Sequence, residues 1–76
     1  MELKDVIRLH RERMNLSMAG LGRLIGASRS TVSHWEKGIL RPGLSKVMKL
    51  AEIFGVTETE LLHPKAEENE DSKNVQ

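Results

Sequence analysis

What most constrains this chain is how often it is interrupted. Asn15, Ser17, Ser28, Gly38, the Pro42-Gly43 pair, Gly55, Thr57 and Pro64 follow one another at short intervals. Each is a residue type that starts or stops a helix or turns the backbone. They divide the sequence into five segments. None has a sustained apolar–polar alternation, and Trp35 and Phe54 are its only aromatic residues. Strands need that alternation and favour aromatic and β-branched side chains. The spacing therefore predicts an all-α fold of five short helices.

The first helix is expected from about Leu3 to Met14, with Leu3, Val6, Ile7, His10 and Met14 in one stripe at 3.6 residues per turn. The second, about Met18 to Ile25, starts behind Ser17, whose hydroxyl can accept from an otherwise orphaned amide. Met18, Leu21, Leu24 and Ile25 share its inner side. Gly22 sits at the edge of that arc, where it would allow another helix to approach closely. The third runs from Arg29 to Lys37 between Ser28 as N-cap and Gly38 as the left-handed residue that ends it. The fourth, about Leu44 to Phe54, is expected to bury Leu44, Val47, Met48, Leu50, Ala51 and Phe54 and to turn Ile53 to its polar side. The fifth opens at Thr57, where Thr57 and Glu60 have capping-box spacing, and carries Leu61 and Leu62.

A chain of 76 residues forms one small domain, burying only about 60% of its unfolded surface. That allows a thin helical core and no deep catalytic cleft. The absence of cysteine excludes disulfides and thiolate metal sites. His10, His34 and His63 lie on separate segments without ligand spacing, so no metal or other cofactor is expected. No apolar run approaches the roughly 20 residues that span a bilayer, and MELKDVIRLH lacks a signal-peptide core. These features point to a soluble, cytoplasmic protein.

Charge is unevenly distributed. Residues 1–63 hold ten Lys/Arg against seven Asp/Glu, whereas residues 64–76, PKAEENEDSKNVQ, hold two against four. The boundary predicts a mildly basic domain over 1–63. An acidic, disordered tail or a linker to a second domain or protein partner would follow over 64–76. A mildly basic domain is permissive for a polyanion partner.

The third segment is more specific. On a helical wheel Arg29, Ser30, Ser33, His34 and Lys37 span an arc of about 140°, opposite Val32 and Trp35. Trp35 reads as a core aromatic rather than a platform for stacking unpaired bases. All five outer side chains can donate hydrogen bonds, the hydroxyls and neutral imidazole can also accept, and no carboxylate interrupts them. Base edges in a major groove offer such mixed donors and acceptors between phosphates. The planar fork of Arg29 suits guanine O6 and N7.

The second segment ends at Ile25, and Gly26-Ala27-Ser28 makes a short link to the third. Two short helices so joined form a helix-turn-helix. LSMAGLGRLIGASRSTVSHWEKG, followed by RPGLSKVMKLAEIFGVTETELL, resembles the lambda-repressor-like (Xre/Cro-type) DNA-binding domains. The likeness spans about residues 3–63. It rests on Gly22, Gly26, the inward Val32 and Trp35, Glu36 before Lys37-Gly38, and the Leu-Ala-x-x-x-Gly-Val run.

The resemblance implies that Arg29, Ser30 and His34 face bases, with Ser33 beside them. It places Ser17, Ser28, Lys37 and Arg41 against the sugar-phosphate backbone. It pairs Arg11 with Glu36 in a structural role, and the wheel agrees, since both border apolar arcs. Met18 stands where the family usually has a glutamine that contacts a phosphate. His10 stands at a usually apolar position, where it reads as a core histidine.

Ile53, Leu61 and Leu62 are either shared core or a patch that pairs two subunits, and a homodimer through the C-terminal region is the expectation. The chain is expected to be a transcription regulator, most often a repressor, binding a palindromic double-stranded DNA operator. The competing class is an antitoxin or co-regulator acting through protein contacts. No nucleophile–base pair, carboxylate dyad or phosphate-cradling loop suggests an enzyme.

Overall fold

The structure is a computed structural model that describes residues 1–64. Among these residues, five helices follow one another: α1 (Leu3–Arg13), α2 (Met18–Ile25), α3 (Arg29–Lys37), α4 (Leu44–Phe54) and α5 (Glu58–Leu62). The expected acidic tail falls on residues 65–76 and lies outside the described residues.

Local chemistry sets the boundaries. Ser17 Oγ accepts from Gly20 N at 2.9 Å, and Ser28 Oγ accepts from Thr31 N at 3.0 Å. Thr57 and Glu60 close a reciprocal capping box, with Thr57 N donating to Glu60 Oε1 at 2.8 Å and Glu60 N to Thr57 Oγ1 at 3.0 Å. A second N-terminal brace appears at α1, where Glu2 N donates to Asp5 Oδ2 at 2.9 Å. The turn from α1 to α2 passes through Asn15, whose φ of 57° is left-handed, a conformation its short polar side chain tolerates better than most.

Leu3, Val6 and Ile7 of α1, Leu21 and Ile25 of α2, Val32 and Trp35 of α3, Val47, Leu50 and Ala51 of α4, and Leu61 of α5 form one buried cluster. Every helix contributes, so none is an appendage. Met18 and Phe54 pack against this cluster while staying partly exposed.

Several inner positions read from the periodicity are corrected. Met14, Leu24, Leu44 and Met48 are exposed, Leu44 at 67%. Leu24, Leu44 and Met48 lie at the margins of their helices' apolar arcs, beyond the part that neighbouring helices cover. Met14 falls outside α1, as its C-cap. Ile53, expected on the polar side, instead packs partly buried against the core. His10 stacks on Phe54, with ring centroids 5.1 Å apart and planes 22° from parallel. It is a partly exposed aromatic contact between α1 and α4 rather than a wholly enclosed residue.

Candidate nucleic-acid interface

The link between α2 and α3 sets the direction in which α3 points. Gly26 ends α2 in the left-handed region at φ 75°, and Ala27 N donates to Gly22 O at 2.8 Å. The turn thereby folds back over Gly22, where an added Cβ would collide with the Ala27 carbonyl oxygen. Gly22 does permit a close approach, but the approaching group is this turn's own backbone and not another helix. Ser28 then caps α3, and Val32 and Trp35 anchor it in the core.

The opposite side of α3 is open. Arg29, Ser30 and Lys37 are exposed, and Ser33 and His34 are partly exposed, so all five keep a path to a partner. Ser17 and Ser28, the capping residues of the two motif helices, are exposed as well. Each hydroxyl oxygen accepts from a helix amide. The Ser17 hydrogen is left for another acceptor, whereas Ser28 Oγ also lies within hydrogen-bond distance of Thr31 Oγ1, to which it can donate or from which it can accept. Arg41 is exposed in the link to α4, beyond the left-handed Gly38 at φ 78°. Met18 packs apolar against the core and adds no polar group at the start of α2.

Behind this surface, Arg11 and Glu36 meet in a two-pronged contact. Arg11 Nε donates to Glu36 Oε2 at 2.6 Å, and Nη2 donates to Oε1 at 3.0 Å. The third prong, Nη1, donates to the carbonyl of Leu16 at 2.8 Å. The side chains are 11% and 4% exposed, so the pair is shielded from water and salt. The bond to Glu36 holds the guanidinium proton even more tightly than usual, against the opposing effect of burial. One side chain thus joins α1, the turn into α2, and α3. It also occupies the one carboxylate of α3.

Sequence reasoning missed two participants. The Leu16 carbonyl carries no side-chain signal at all. Thr31 Oγ1 lies 2.9 Å from Ser28 Oγ, and the three-residue spacing from the N-cap was its legible trace. Of the proposed subunit-pairing residues, Leu61 is wholly buried in its own core and has no surface to offer a second copy. It belongs to the shared-core alternative because α5 is too short to hold its place without it. Ile53 and Leu62 are partly buried on the same core. The large apolar side chains left exposed lie mainly between α3 and the middle of α4, at Ile39, Leu40, Leu44 and Met48. Among the described residues no cluster of three metal-ligating side chains occurs, and no helix is long and apolar enough to cross a membrane.

A capped α2, a tight glycine turn and a core-anchored α3 with an open polar side define a helix-turn-helix domain. The helix-turn-helix family model matches residues 7–61, and the chain belongs to this family in its lambda-repressor-like form, a class of DNA-binding transcription regulators. An uncharacterized HTH-type transcriptional regulator of Methanocaldococcus jannaschii is 35% identical over 54 residues, covering 71% of this chain and 82% of that protein. A Methanosphaerula palustris protein named for HTH-type transcriptional regulation is 40% identical over 57 residues. That match covers 72% of this chain but only 18% of the longer relative. Among solved structures, the P22 c2 repressor in complex with a synthetic operator superposes with a TM-score of 0.79 at 24% identity, covering 83% of this chain and 96% of that one.

Proposed function

We propose that this chain binds double-stranded DNA sequence-specifically as a transcription regulator, and that it acts as a cytoplasmic repressor without catalytic activity. The observation that carries the reading is the outer side of α3, which is exposed, rich in donors and free of available carboxylate. α3 enters the major groove, where Arg29, Ser30, Ser33 and His34 meet base edges and Ser17, Ser28, Lys37 and Arg41 meet the backbone. The fold shared with a repressor solved on its operator is consistent with this placement.

Two copies bind a palindromic operator with half-sites about 34–36 Å apart, or a multiple of that, and occlude the polymerase. The exposed Ile39, Leu40, Leu44 and Met48, with the accessible parts of Ile53 and Leu62, supply apolar surface for the second copy.

Selection of binding sites from random duplexes tests binding, specificity and half-site symmetry together. On the selected site, Arg29→Ala is expected to cost about 1–3 kcal/mol and relax preference at one base position. Lys37→Ala is expected to weaken every duplex alike and to reduce the salt slope by about one. Equal loss on all sequences for Arg29→Ala removes that residue from base reading.

A further inference from the structure

The two hydroxyls at the start of α3, those of Ser28 and Thr31, are in hydrogen-bond contact. Ser28 Oγ already accepts from Thr31 N at 3.0 Å, and Thr31 Oγ1 lies 2.9 Å away from the same oxygen. A hydroxyl has one hydrogen and two lone pairs. If Ser28 donates to Thr31, its hydrogen is spent inside the protein. If Thr31 donates to Ser28, both Ser28 lone pairs are filled and its hydrogen is free. Ser28 is exposed while Thr31 is partly buried, so Ser28 is the end of the pair that can meet a partner. A phosphate oxygen only accepts. Backbone contact therefore selects the order Thr31 to Ser28 to phosphate, and hydrogen bonds in such a chain polarise one another.

We propose that Thr31 is a positioning residue for DNA binding, whose hydroxyl donates to Ser28 Oγ and commits the Ser28 hydrogen to a backbone phosphate. The proposal rests on the DNA-binding reading given above. Thr31 sits at the edge of the inner arc and touches no base in this arrangement; it acts through Ser28. Both hydroxyls are neutral, so the pair adds affinity without releasing counterions and without reading sequence.

The test is a mutant cycle on the full chain, with affinity measured over a range of salt on a selected duplex and on a random one. Thr31→Val keeps the side chain's shape and the backbone amide that caps the helix. It is expected to weaken binding about two- to fivefold on both duplexes, the scale of one lost polarising bond, with the salt slope unchanged. Thr31→Ser restores the hydroxyl and the affinity. Ser28→Gly removes the hydroxyl while keeping a residue tolerated at an N-cap; in that background Thr31→Val is expected to have no further effect. A purely structural role for Thr31 would persist in the Ser28→Gly chain and would move the melting temperature with the affinity. Equal affinities of wild type and Thr31→Val, or additive losses in the double mutant, overturn the relay while leaving DNA binding intact. Failure of the wild type to bind either duplex in a salt-dependent way overturns the DNA-binding reading and the relay with it.

Discussion

His10 shows how one side chain acquires a property that its residue type does not specify. Partial burial against Phe54 disfavours the charged imidazole and lowers its pKa below 6.5, with Arg13 acting in the same sense and Glu60 weakly opposing. The unfolded chain therefore takes up the proton more readily than the folded one. Folding stability from this site is present above about pH 6.5 and is lost as pH falls through the lower folded pKa. Urea unfolding measured at several pH values is expected to show wild-type stability declining below about pH 6.5 more steeply than that of His10→Phe. Parallel pH profiles would show that the imidazole does not contribute. The periodicity identified His10 as inward-facing, but only the partner ring explains why an ionisable residue is tolerated there.

At the scale of elements, the turn between α2 and α3 decides what the exposed surface can do, and Gly22 decides the turn. Two effects compete in Gly22→Ala. Alanine gains about 1 kcal/mol of helix propensity over glycine. Its methyl group, however, would come well inside contact distance of the Ala27 carbonyl oxygen, a backbone atom of the residue whose amide donates to Gly22 O, so the turn itself would have to shift. Forcing atoms into such a packed site costs about 1–3 kcal/mol. The clash is expected to win, so Gly22→Ala should lower the denaturant midpoint and weaken binding to a selected duplex, because α3 would be redirected. An increased midpoint would show that the turn can shift cheaply. Sequence alone marked Gly22 as a point of close approach without revealing what approaches it.

For the whole molecule, the Arg11–Glu36 pair matters through its position more than through its charge. It joins the end of α1 to the end of α3 and, through the Leu16 carbonyl, to the turn that leads into α2. Replacing both charges with apolar groups is often tolerable, whereas removing one leaves the other buried and unpaired at a cost of about 3–5 kcal/mol. Arg11→Met is therefore expected to destabilise the fold by about that amount, and adding Glu36→Leu to recover much of it. Denaturant unfolding of the single and double variants measures both. If the single variant loses less than 1 kcal/mol, the pair is not a clamp. Burial is decided at the same scale: with Leu61 committed to the core, exposed apolar surface lies chiefly over Ile39 to Met48.

The sequence by itself determined the five helices and the polar side of α3, because caps, left-handed glycines and 3.6-residue periodicity are local properties of the chain. Ser17, Ser28, Gly38, Gly55 and Thr57 each act within a few bonds of where they stand. Tertiary structure alone decided how much of each apolar arc is covered. Leu44 and Met48 have the periodicity of core residues and stay exposed, while Ile53 appears outward and is partly enclosed. Coverage depends on which helices pack across an arc and at what angle, and that angle follows from contacts between distant residues. The contacts of Ala27 with Gly22 and of Arg11 with Leu16 end on backbone carbonyls, which no side-chain pattern marks. The Arg11–Glu36 contact spans 25 residues; the pattern pairs the two residues, and the packing of α1 against α3 sets the two-pronged geometry.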